Sequence, residues 1–249
     1  MSSRYTYKPL TEPDAIRLIE IKPASGSAEI HCSLTHTTLS QCDNRDIFGN
    51  YTALSYVWGS PDKVKTIFVD GESLAITANL FSALIDLRDD TRSLWLWVDA
   101  ICINQINYGE KAQQIQMMGG IYAGARHTII YLGPREVESR ETQCLASLAM
   151  AQKIDHGWNA DVVESIARSE WFTRVWIFQE LVFSIDPWVQ CGRARVKWEV
   201  FCAALRSTHA RANIVNSMKA ARDEHLDQTE REVNPYDKSS WGKGLDRGA

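Results

Sequence analysis

The alternation of apolar and polar residues changes period repeatedly along the chain, and those changes mark out its elements. Residues 16–22 (Ile-Arg-Leu-Ile-Glu-Ile-Lys) and 28–34 (Ala-Glu-Ile-His-Cys-Ser-Leu) alternate with a period near two. Pro23-Ala-Ser-Gly26 between them is turn chemistry, so they predict an antiparallel hairpin at the edge of the fold. Ala53–Trp58 reads as a short strand stopped by Gly59-Ser-Pro61. Residues 66–77 form a second hairpin, because Asp70-Gly71 supplies the positive φ of a tight turn. A helix follows from Ala78 to Asp89, with Leu80, Leu84 and Leu87 on one face.

Leu94–Asp99 is apolar on both faces, as a central buried strand requires. Asn107 and Glu110 then open a helix whose stripe is Ala112, Ile115, Met118 and Tyr122. His127–Leu132 is a strand ended by Gly133-Pro134. Asp161 and Glu164 open one helical segment, and Thr173–Phe183 forms another. Trp188–Cys191 and Ala194–Trp198 make a late hairpin across Gly192-Arg193, and a last helix runs from Glu199 into the 220s. Strand, helix, strand through the middle predicts an α/β domain with a mainly parallel core sheet and added antiparallel hairpins. This places one domain at residues 1–226, with a polar, breaker-rich tail at 227–249 that is expected to be disordered.

Composition narrows the function classes. A hydrophobic share of 45% across 249 residues is enough for a core without staples. A net charge of −4, with Lys and Arg scattered, argues against a nucleic-acid surface. The six cysteines lie far apart with no C-x-x-C pair, so zinc has no spacing support and no metal is expected. The N-terminus has no apolar h-region and no run approaches a membrane span, so the expectation is a cytoplasmic protein with reduced, mostly buried thiols. Dinucleotide-fold, Walker A, G-x-S-x-G and H-E-x-x-H motifs do not occur.

Three clusters carry candidate chemistry. Tyr56, Trp58 and Gly59 at a strand exit offer a stacking face and room for a ligand to approach backbone, or they cap the core. Asp99, Asn104 and Gln105 can fix a ribose or an amide, or satisfy their own loop. In the same cluster Cys102 is better read as a small buried thiol than as a nucleophile, since His127 belongs to a strand. On the Thr173–Phe183 helix Trp176 and Glu180 are i and i+4. Glu180 there is either a desolvated carboxylate for acid–base or cation-stabilising work, or half of an ion pair with Arg174.

Four words bear on family. They are Tyr51-Thr-Ala-Leu-Ser-Tyr-Val-Trp-Gly59, Leu94-Trp-Leu-Trp-Val-Asp-Ala-Ile-Cys-Ile-Asn-Gln105, the run from Gln113 to Gly133, and Arg174-Val-Trp-Ile-Phe-Gln-Glu180. In this order they resemble the heterokaryon-incompatibility (HET) domain of filamentous fungi over roughly residues 15 to 190. The resemblance implies an effector of non-self recognition that induces cell death, acting by self-association or with another death-signalling protein. More distantly, Trp176-Ile-Phe-Gln-Glu180-Leu181 is similar to a word of the Toll/interleukin-1-receptor (TIR) domains that cleave NAD, with Ile177 where that word has cysteine. That likeness implies a TIR-like core, Glu180 as the catalytic residue, and NAD as a substrate rather than a cofactor. Tyr56, Trp58, Gly59, Asp99, Asn104, Gln105, Arg174 and Trp176 are then the substrate-binding set. The rival reading is a non-enzymatic interaction or regulatory module on the same fold.

Overall fold

The computed structural model describes residues 3–26, 28–42, 51–150, 160–174, 176–207 and 220–225. Nine strands form one sheet in the order β5-β4-β2-β1-β6-β3-β7-β8-β9. They are β1 (Ala15–Ile21), β2 (His31–Thr38), β3 (Thr52–Tyr56), β4 (Lys65–Val69), β5 (Glu72–Ile76), β6 (Leu94–Trp97), β7 (His127–Tyr131), β8 (Pro187–Cys191) and β9 (Ala194–Lys197). The helices are α1 (Leu39–Cys42), α2 (Ala78–Leu87), α3 (Asp99–Cys102), α4 (Tyr108–Gly124), α5 (Arg140–Ala149), α6 (Ala160–Ala167), α7 (Ile177–Val182) and α8 (Trp198–Ser207).

The sheet is mixed, with a parallel centre. β6, β3, β7 and β8 run parallel, as the sequence predicts for the middle of the chain. The β4–β5 and β8–β9 hairpins are antiparallel and close the two edges. In the first of them Asp70 and Gly71 take φ of 51° and 85°, as a two-residue hairpin turn demands.

The expected edge placement of the first hairpin is wrong. β1 is antiparallel to both β2 and β6, while β2 continues in parallel to β4, so this hairpin sits inside the sheet. The interior strand β1 carries Arg17. It looks solvent-facing in an alternating strand, yet it is fully buried. Its guanidinium donates to both carboxylate oxygens of Glu110, at 2.6 and 3.0 Å, and to the carbonyls of Cys102 and Lys8. A charge so enclosed needs a partner of this quality.

That partnership also explains α4. Asn107 caps the helix by accepting from the Glu110 N–H at 3.1 Å. Glu110 does not complete the reciprocal box, because its carboxylate accepts from Arg17 and from the Asn104 N–H. Burial pushes the Glu110 carboxyl up, but these donors outweigh it and hold it below its ordinary range. The buried face of α4 is Gln114, Met118, Ile121 and Tyr122, turned from the expected stripe, with Ala112 exposed. Gln114 pays for its burial by donating to the Ala15 carbonyl.

Two apolar clusters flank the sheet, and β7 contributes to both. Ile129 and Tyr131 join the cluster that includes β1, β3, β6, α2 and α4. Ile130 belongs to the other, with Leu145 of α5, Val163 of α6, Leu181 of α7 and Phe201 of α8. This is the period-two alternation of a strand buried on both faces. The predicted Thr173–Phe183 helix is broken in two. Glu170–Thr173 is a 3-10 turn, Arg174 is extended, and α7 starts at Ile177 with Trp176 as its cap. The last helix is described over Trp198–Ser207 and again at 220–225, while residues 208–219 and the 227–249 tail lie outside the described residues.

Removing one member of the Arg17–Glu110 pair strands the other away from water. Glu110→Ala is expected to lower unfolding free energy by about 3–5 kcal/mol. Arg17→Met combined with Glu110→Leu should recover much of that loss. Chemical denaturation of the variants checks both; equal stability of Glu110→Ala and wild type would remove the pair from this account.

Candidate functional site

Parallel neighbours deliver their C-terminal exits to the same end of a sheet. β3 and β6 pair through Ala53 and Trp97, so Trp58 leaves one strand beside Asp99 leaving the other. The Trp58 indole N–H donates to Asp99 Oδ2 at 3.0 Å. The second oxygen, Oδ1, accepts from the Ala100 N–H at 2.7 Å. Gly59 turns the chain away at φ 68°, and a Cβ there would lie 2.5 Å from the Asn79 amide, so the position demands glycine for the turn.

α7 packs on α4 and carries Glu180 over these exits. Glu180 is buried and bound on two sides. Arg174 donates to its two oxygens at 3.1 and 3.3 Å. The Ser55 hydroxyl of β3 donates to Oε2, and Ser55 Oγ in turn accepts from the Trp171 indole at 2.6 Å. Both readings of Glu180 thus meet in one geometry: it is the ion-paired partner of Arg174, and it faces a cavity.

That cavity holds about 420 Å³ and is lined by Trp58, Asp99, Gln105, Arg174, Trp176 and Glu180 of the expected set. Lys111, Ile103, Ile115 and Met118 complete the wall. Three expected residues are absent from the lining. Asn104 is absorbed by its own loop, its N–H on Glu110 and its side-chain oxygen accepting from the Ile106 N–H. Gly59 serves the turn. Tyr56 lies beneath, its hydroxyl buried without a hydrogen-bond partner and within the field of Asp99, Arg174 and Glu180. Gln105 donates to the Asp99 carbonyl at 2.8 Å, while its own amide oxygen is buried and unpartnered.

Asp99 is partly open to the cavity, but the protein around it strips it of water. That desolvation, reinforced by the negative charge of Glu180 and opposed by the Trp58 and Ala100 donors, pushes its carboxyl up to about 6. Two carboxylates in different surroundings, one beside an arginine and one without, are the usual arrangement for dividing proton transfer from charge stabilisation. Trp58 and Trp176 stay 38% and 50% exposed, so each presents an indole to a ligand at the mouth.

Cys102 is a buried thiol, as expected. Its sulfur accepts from the Val98 N–H, and burial pushes it up to about 12. His127 stands at the start of β7, at the opposite end of the strand from the cavity, and meets Asp186 at 2.7 Å. A Cys102–His127 pair is therefore excluded by geometry. Ser55 and Trp171 belong to the site although neither is among the expected site residues.

The family model described as Heterokaryon incompatibility protein (HET) matches residues 51–180, a narrower span than 15–190, closing on Glu180 itself. Heterokaryon incompatibility protein 6, OR allele, of Neurospora crassa is 28% identical over 237 residues, covering 74% of this chain and 34% of that protein. The chain therefore spans about a third of that relative's length. No solved structure matches the chain. Among the described residues no helix is long and apolar enough to cross a membrane.

The raised Asp99 carboxyl has a stability signature. Its folded value lies above its unfolded one, so the folded state holds the extra proton and Asp99 disfavours folding increasingly as pH rises through that window. From about pH 4 to about pH 6, wild type should lose up to about 3 kcal/mol relative to Asp99→Asn. Paired denaturation curves across that range measure it. A difference that stays flat with pH contradicts the assigned environment.

Proposed function

The chain belongs to the heterokaryon-incompatibility (HET) family, and from that premise we propose that it is a cytoplasmic effector of fungal non-self recognition. Activation would lead to cell death or growth arrest, through hydrolysis of a nicotinamide-type nucleotide in the Trp58–Glu180 cavity. The observation that carries this reading is convergence. Six residues chosen for their chemistry, spread from position 58 to 180, line one cavity at the exits of β3 and β6. A set of packing words has no need to gather there.

The proposed chemistry uses the residues in distinct roles. Trp58 and Trp176 take the flat nicotinamide and ribose between indoles. Glu180, kept oriented by Arg174 and Ser55, faces the ribosyl cation that develops as the glycosidic C–N bond breaks and nicotinamide leaves with the electron pair. Water then adds to the cation, and Asp99, ionised at neutral pH, accepts the proton that water releases. The division parallels glycoside hydrolysis, where one carboxylate balances charge and the other moves a proton. The likeness of Trp176-Ile-Phe-Gln-Glu180-Leu181 to the NAD-cleaving TIR word supports the choice of substrate, and the TIR-like core is part of the same proposal.

One observation favours an assembly reading in which no small molecule is consumed. Ile106 and Tyr108 are each 84% exposed, on the segment following Gln105, and Trp176 is half exposed nearby at the cavity mouth. Such apolar side chains suit contact with a like domain or another death-signalling protein. Nicotinamide release separates the readings: concentrated protein incubated with NAD yields nicotinamide over hours if the cavity is catalytic, and none if assembly alone acts.

Glu180→Gln tests the role of the charge. The amide oxygen can still accept from Ser55, and Arg174, partly reached by solvent, can hydrate, so the expected cost is about 1–3 kcal/mol with the fold retained. Nicotinamide release and toxicity on overexpression in a fungal host should both vanish, because a neutral amide cannot balance a cation. A melt beside the activity assay keeps unfolding distinct from lost chemistry. A Glu180→Gln variant that is stable and fully toxic would falsify the catalytic role.

A further inference from the structure

Arg88, at the C-terminal end of α2, is 2% exposed and has no carboxylate partner among the described residues. Its two terminal nitrogens donate to the carbonyls of Gly26, Ala28 and Glu29, at 2.7 to 3.0 Å, and its Nε–H is buried without an acceptor. Carbonyl oxygens satisfy donors but do not neutralise a cation. An enclosed guanidinium held only by carbonyls is a costly feature that most folds avoid.

Two further arginines stand beside it. Arg193, in the β8–β9 turn, donates to the Arg88 carbonyl at 2.6 Å, and Arg195 of β9 lies over the Trp188 ring at 5.8 Å. Neither forms an ion pair among the described residues. All three arginines line one open cavity of about 510 Å³, distinct in its lining from the Trp58–Glu180 cavity.

Three aspartates share the wall, and most of their capacity is already committed. Asp89 accepts from the N–H groups of Thr91 and Arg92 and from the Thr91 hydroxyl. Asp86 accepts from the Tyr131 hydroxyl at 2.5 Å, and burial pushes its carboxyl above its ordinary range. Asp90 is exposed to solvent. None of the three guanidinium groups forms an ion pair among the described residues, although Asp90 acts electrostatically on Arg88 and Asp86 on Arg193, and planar forked donors are the side chains best matched to phosphoryl oxygens.

We infer that the Arg88–Arg193–Arg195 cavity is a binding site for a phosphoryl group, with Arg193 and Arg195 grasping its oxygens and Arg88 supplying the buried positive charge. Either inorganic phosphate or the phosphate end of a nucleotide would satisfy it. The site does not depend on catalysis at Glu180.

Isothermal titration of the full chain, at ionic strength fixed with chloride, tests this with sodium phosphate in one arm and a nucleoside diphosphate in the other. Wild type and the exposed-surface control Lys63→Gln should bind at least one of the two alike. Arg193→Gln and Arg195→Gln should each weaken that binding by about tenfold or more, with unchanged melting temperature in ligand-free buffer. Equal affinities would identify the phosphate itself as the ligand, and a much tighter diphosphate would identify a nucleotide; both support the site. Absence of binding by wild type in both arms overturns the inference, as does an Arg193→Gln/Arg195→Gln double variant that binds as wild type does.

Discussion

A carboxylate cannot be taken out of water alone, and Glu180 is taken out of water. It is 3% exposed, and its two oxygens are occupied by Arg174 and Ser55. Those bonds tie α7 to β3, two elements more than a hundred residues apart in sequence. Because Ser55 also accepts from Trp171, the 3-10 turn before Arg174 is fixed to the same strand. The polar chain Trp171–Ser55–Glu180–Arg174 thus sets where one wall of the cavity stands.

The opposite wall depends on a second enclosed pair. Arg17 reaches Glu110, Glu110 accepts from the Asn104 N–H, and the loop carrying Gln105 is held in place as a result. Tyr7 adds to this by donating to the Ile101 carbonyl at 2.8 Å, with its ring 5.2 Å from the Arg17 guanidinium. Each wall thus rests on an arginine–glutamate pair, a local one between Arg174 and Glu180 and a long-range one between Arg17 and Glu110. Between them Asp99 is desolvated and repelled by Glu180, which pushes its carboxyl up against the opposing Trp58 and Ala100 donors and Arg174.

Local chemistry made much of this legible in the sequence. Asp70-Gly71 announces its hairpin because only a positive φ closes so short a turn. Leu94–Asp99 announces a buried strand through continuous apolarity, Ala53–Trp58 and His127–Leu132 through glycine-led stops at their ends, and the polar clusters at the ends of the first two mark the exits where the cavity lies. What escaped depends on partners that the pattern of apolar and polar positions does not show. Arg17 reads as a solvent-facing residue until Glu110 is seen beside it, and the first hairpin reads as an edge until β1 is seen to pair with β6 and β2 with β4. For Asn104 the sequence left a ligand-binding amide and a self-satisfied loop both open, and the loop bonds decide for the second. Ser55 and Trp171 carry no signal of their own, since a hydroxyl in a strand and an indole in a core are both ordinary until a buried carboxylate joins them. The break between Thr173 and Ile177 was hidden for a similar reason: an extended Arg174 reaches back to Glu180, and helical periodicity alone gives no hint of it.

The most direct test of the cavity as the seat of activity is saturation substitution scored twice in a fungal host, once for growth under overexpression and once for soluble abundance. Substitutions at Trp58, Asp99, Gln105 and Glu180 should restore growth while abundance stays near wild type. Those at Arg17 and Glu110 should restore growth only where abundance falls. If every growth-restoring substitution lowers abundance, and the cavity residues behave no differently from the buried supports, the cavity is packing and the central claim fails.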